Sequence, residues 1–131
     1  GYLHDALYPV EHSRQAGAVL VAGSDAPVDS RDPRPFENMA AGIMKAAGSG
    51  DDFRASQRTS LAEMLAAYTI NGARAVRQEA ITGSIEAGKS ADFIVLDRDL
   101  FALVKAGTPE QIAQTRVEQT VFMGETVYPK P

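Results

Sequence analysis

Residues 18–27 read Ala18-Val19-Leu20-Val21-Ala22-Gly23-Ser24-Asp25-Ala26-Pro27, and this stretch decides the fold. Its first five residues are apolar without interruption, and Val19 and Val21 are β-branched. Such a run predicts a strand buried on both faces, as in a parallel sheet covered by helices. The run stops at Gly23, and Asp25 stands where the chain leaves the strand for a long loop rich in Asp and Pro. In parallel α/β folds catalytic side chains collect at that end of the strands. A carboxylate there can bind a metal and take a proton from water. Read locally, the simpler role for Asp25 is a turn cap through its own side chain.

Before this run, residues 11–16 suit a short helix that Gly17 ends. After it, residues 37–47 are expected to be helical, with Met39, Ile43 and Met44 on one side, followed by a flexible loop at 48–52. Ser60 opens the clearest helix: its hydroxyl caps the start and Glu63 completes a capping box. Leu61, Met64, Leu65 and Tyr68 form an apolar stripe, read as core rather than as a partner-binding face. Asn71-Gly72 is expected to break this helix, with a shorter one over 73–77. From Ile81 the pattern changes to turns and a strand at Ala91-Asp92-Phe93-Ile94-Val95-Leu96-Asp97. Thr108-Pro109-Glu110-Gln111 has the signature of a capped helix start. The last strands, 117–122 and 126–128, look like a hairpin around Gly124-Glu125.

Composition excludes several functions. The chain has 131 residues, 44% of them apolar, which suits one globular domain and is too short for a complete (β/α)8 barrel of roughly 250 residues. A net charge of −4 argues against general nucleic-acid or anionic-membrane binding. The chain has no cysteine, hence no disulfide, thiol nucleophile or Cys-based zinc site, which fits a reducing, cytoplasmic setting. No apolar run approaches the ~20 residues of a membrane span. His4 and His12, the two histidines, form neither an HxH nor an HExxH pattern, so the chain is not expected to hold a catalytic metal by itself. Gly23-Ser24-Asp25 and Gly83-Ser84-Ile85 lack the spacing of a nucleophile elbow. Gly48-Ser49-Gly50 lacks the lysine of a P-loop, and the acidic residues from Asp29 to Asp32 lack calcium-loop spacing.

Three stretches together resemble the amidohydrolase superfamily. VLVAGSDAPV (19–28) looks like its last barrel strand and metal-ligand loop. SLAEMLAAYTINGARAVR (60–77) looks like the helical segment that follows, and TGSIEAGKSADFIVLD (82–97) like the turn and strand where the chain leaves the barrel for a small β-sandwich. Residues 116–128 are similar to the closing hairpin. GSDAPV with AYTINGA points to amidohydrolase family 3, the YtcJ-like and N-substituted formamide deformylase-like enzymes. The resemblance is to the C-terminal third of these proteins.

That resemblance implies an α/β fragment. Residues 1–80 would be the C-terminal end of the barrel, with its last strand at about 18–22 and helices at about 37–47 and 61–77. Residues 81–131 would belong to the satellite β-sandwich. It further implies a metal-dependent hydrolase of carbon–nitrogen, non-peptide bonds in a small molecule, with one or two divalent metals, usually zinc. Asp25 matches the aspartate that is both metal ligand and general base, and no other metal ligand of the family is matched. The chain alone is therefore expected to be inactive and metal-free. It is also expected to self-associate, because a strand built for cover on both faces is left bare. The alternative is a non-enzymatic α+β module that assembles or binds a partner through its sheet edges.

Overall fold

A computed structural model describes residues 10–28, 31–44 and 58–129. In order, these form α1 (Val10–Gln15), α2 (Pro35–Met44), α3 (Leu61–Tyr68), α4 (Ile70–Ala75), β1 (Phe93–Leu96), α5 (Leu100–Lys105), a 3-10 helix (Pro109–Gln114), β2 (Val117–Phe122) and β3 (Glu125–Tyr128). The strands make one antiparallel sheet in the order β1-β2-β3. The loop expected at 48–52 lies outside the described residues.

The core joins the two halves of the sequence. Met39 and Ala40 of α2, Leu61 and Met64 of α3, Leu100 of α5 and Ile112 of the 3-10 helix are buried in one cluster, and Ile112 is completely inaccessible. The expected stripe on α3 is therefore core. Where α2 faces α3, a Cβ on Gly42 would lie 2.8 Å from the Met64 sulfur, so the Met64 side chain packs into the space this glycine leaves.

Helix starts follow their sequence signals unevenly. At Ser60 the full capping box forms: the hydroxyl accepts the Glu63 N–H at 3.2 Å, and the Glu63 carboxylate accepts the Ser60 N–H at 2.8 Å. That backbone bond, with a second from the Ser60 hydroxyl, holds the Glu63 carboxyl below its usual pKa. The first helix runs from Val10 and is followed by Gly17 at φ +88°, as its sequence suggested. Helix α2 starts with Pro35 as its first residue, a position where the missing N–H costs nothing, and its described part ends at Met44.

Three expectations are corrected. The helix over 61–77 breaks at Thr69 (φ −130°, ψ −100°), and Asn71 and Gly72 lie inside α4. Thr108 makes no side-chain cap; its hydroxyl donates to the Leu103 carbonyl at 3.3 Å, and a 3-10 helix follows. The hairpin turn is Met123-Gly124, both at positive φ, because Glu125 already pairs with Phe122. Separately, residues 18–22 form no ladder with any described strand. A strand exists only against a neighbour, and the described strands pair among themselves. Helix α5 was not anticipated, although Asp99 caps it by accepting the N–H groups of Phe101 and Ala102 at 2.9 and 3.1 Å.

Candidate functional site

Residues 18–22 still show what the strand pattern encodes. Leu20 and Ala22 pack against the core, while Val19 and Val21 are 62% and 48% exposed. Inward and outward side chains alternate with the period of two of an extended chain. One face is thus covered by this chain's helices and the other is bare.

The Ala18 N–H donates to the Ser13 carbonyl of α1 at 2.9 Å, and two further hydrogen bonds hold the segment to α3 and α4. The Ala22 N–H donates to the Ala67 carbonyl at 3.2 Å, and Asn71 Nδ2 donates to the Leu20 carbonyl at 2.9 Å. The break at Thr69 makes the first possible. The last carbonyls of a helix lack partners within it. Here Thr69 satisfies two of them, through its hydroxyl to Leu65 at 2.7 Å and its N–H to Ala66 at 3.2 Å. The third, of Ala67, is left for Ala22. Asn71 was legible in the sequence only as a helix breaker; its side-chain role depends on a carbonyl 51 positions away.

Asp25 follows this tethered segment after Gly23 and Ser24. It sits in the left-handed region at φ +52°, which Asp tolerates better than most residues. Its carbonyl accepts the Val28 N–H at 2.8 Å, and Ser24 Oγ accepts the Ala26 N–H at 3.2 Å. The side-chain cap of this turn is therefore the serine. The Asp25 residue is exposed, and among the described residues its carboxylate takes no hydrogen bond or ion pair. A free carboxylate at the end of an extended segment has the chemistry of a single metal ligand. Among the described residues no three His, Asp or Glu side chains converge on a point that could hold a metal ion. His12 is exposed on α1, and His4 lies outside the described residues, as does Asp29. Asp32 faces Arg34, whose guanidinium is 3.6 Å away.

The other distinctive motif, residues 82–97, is structural. Asp92 accepts the Met123 N–H at 2.8 Å and the Thr82 hydroxyl at 3.1 Å, tying the turn before β1 to the hairpin. The Met123 bond is the main reason its carboxyl is held below the usual range. Lys89 reaches back to Ser84 at 2.6 Å and Glu86 at 3.0 Å, closing the GSIEAGK turn on itself. A shallow open depression lined by Arg116, Val117, Thr120 and Tyr128 lies on the sheet and does not include Asp25.

Comparison with known proteins follows the same residues. A family profile described as the amidohydrolase family matches residues 3–128. The chain is 35% identical over 96 residues to an N-substituted formamide deformylase of Arthrobacter pascens, covering 73% of this chain and 17% of that protein. It is 29% identical over 117 residues to the putative amidohydrolase YtcJ of Bacillus subtilis, covering 87% and 21%. A 5-methylthioadenosine/S-adenosylhomocysteine deaminase of Thermoanaerobacter pseudethanolicus is 36% identical over 99 residues, covering 74% and 22%. The chain thus spans about a fifth of the length of these relatives. No solved structure gives a significant match.

Proposed function

The chain belongs to the amidohydrolase family, and from that premise we propose that it is the C-terminal part of a metal-dependent hydrolase. The bond cleaved is a carbon–nitrogen bond, other than a peptide bond, in a small molecule. The deformylase and the deaminase among its relatives support that bond class. In this reading residues 1–80 complete a (β/α)8 barrel, with 18–22 as its last strand, and residues 81–131 are a segment of the satellite β-sandwich. The bare face of Val19 and Val21 supports it, since a barrel strand needs cover on the side this chain leaves open.

Asp25 supplies one ligand to a divalent metal, zinc in the commonest case, and accepts the proton released by the hydrolytic water. The observation that carries this role is its exposed carboxylate, unpartnered among the described residues, at the end of the tethered segment. The remaining ligands and the substrate pocket belong to the rest of a barrel, so the 131 residues alone do not hydrolyse. The enzyme works in the cytoplasm, in keeping with the absence of cysteine from these 131 residues. By itself the chain self-associates through its uncovered apolar surface.

The test is Asp25→Asn in the enzyme that contains this chain. Hydrolysis is expected to fall to background, with far-UV circular dichroism and melting temperature unchanged. Wild-type turnover in the variant overturns the assignment.

A further inference from the structure

We propose that Asn71 is a positioning residue for Asp25, one that fixes where the Asp25 carboxylate stands without touching the reacting atoms. The inference rests on the reading of Asp25 given above. It is carried by the paired tethers at Leu20 and Ala22. Beyond Ala22 only Gly23 and Ser24 separate the segment from Asp25, and beyond Asp25 the turn is closed by the Val28 N–H. The carboxylate is therefore held between an anchored stretch and a closed turn, and its position follows that of the anchor.

The two tethers are not equivalent. The Ala22 bond joins backbone to backbone, and any residue of suitable conformation at position 22 would make it. The Leu20 bond needs a side-chain donor of one length, aimed outward from α4. Asn71 meets both needs, and its orientation is set: Oδ1 faces Arg74 Nη1 at 3.4 Å, which leaves Nδ2 toward Leu20. The side-chain bond is also partly buried, so water replaces it poorly. Without it, the stretch between the Ala18 N–H, which donates to the Ser13 carbonyl of α1 at 2.9 Å, and Ala22 would hold to α3 and α4 only by one-sided packing of Leu20, and Asp25 would move with it. A displacement of about 1 Å in a catalytic group costs on the order of 100-fold in rate.

The variants are Asn71→Asp, which keeps the shape and turns the donor into an acceptor facing a carbonyl, and Asn71→Gln, which keeps the amide one methylene further out. Both are made in the enzyme that contains this chain, beside Asp25→Asn. Asn71→Asp is expected to lower kcat about 100-fold, leave KM within about threefold of wild type, and reduce the bound divalent metal measured by elemental analysis. Asn71→Gln is expected to recover part of both kcat and metal content. A purely structural role for Asn71 would lower the melting temperature and leave kcat per folded molecule and metal content unchanged, and that result overturns the proposal. If Asn71→Asp does not fold, Asn71→Gln with wild-type kcat and metal content overturns it equally. Failure of the underlying reading is separate, because Asp25→Asn would then retain activity.

Discussion

Asp97 accepts the backbone N–H of Arg116 at 3.0 Å and its guanidinium at 3.4 Å, locking the end of β1 to the start of β2 across 19 residues. The backbone answers in the other direction, with the Asp97 N–H donating to the Arg116 carbonyl at 3.1 Å. Arg98 adds a bidentate contact at 2.9 and 2.7 Å. With only 11% of its side chain exposed, Asp97 can drop none of these partners without cost.

This arrangement predicts a pH dependence. The Arg98 guanidinium first, and then the Arg116 N–H, hold the Asp97 carboxyl far below its ordinary pKa. A depressed folded-state pKa stabilises above the unfolded value, near 4, and the contribution is lost as pH falls below it. Acid titration by circular dichroism should show the wild type losing stability below about pH 4 more steeply than Asp97→Asn. Parallel acid limbs would remove Asp97 as the cause.

Gly83 is at φ +91°, and a Cβ there would lie 2.7 Å from Ala73 Cβ and 3.0 Å from Ile70 Cα. Both neighbours belong to α4, one of them as backbone, so neither can move aside cheaply. Gly83→Ala should destabilise the chain by more than about 1 kcal/mol in urea unfolding, since strain and clash act together. A neutral substitution would mean that the turn sits further from α4.

Ser60 and Glu63 satisfy the first amides of α3 reciprocally. Ser60→Ala should cost about 1 kcal/mol of stability, and Ser60→Asp should retain most of it, because a carboxylate can also cap. Thermal melts of the three proteins check this, with equal midpoints for Ala and Ser as the contrary outcome.

Val19, Val21 and Val28 are exposed on the 18–28 stretch, as are Ile94, Phe122 and Tyr128 on the sheet. Sedimentation of the 131-residue chain should reveal concentration-dependent association, and the double substitution Val19→Thr, Val21→Thr should weaken it. A monomer at millimolar concentration would contradict the proposed self-association.

Local physics made much of this legible in advance. The Ser60 box, the Leu61–Tyr68 stripe, the stop at Gly17 and the closing hairpin depend on residues within a few positions of one another, and each forms where the sequence placed it, with the turn one residue early. The family was legible too, from the GSDAPV, AYTINGA and SIEAGKSADFIVLD stretches. Tertiary structure decided whatever depends on a distant partner. The apolar run at 18–22 carries the pattern of a strand but forms none here, since a ladder needs a second backbone that composition cannot supply. Likewise Asn71 was a helix breaker in sequence and became an anchor only when folding brought the Leu20 carbonyl within 2.9 Å of its amide. Periodicity and capping are encoded over a few residues; the pairing of groups fifty residues apart is encoded only in the packed whole.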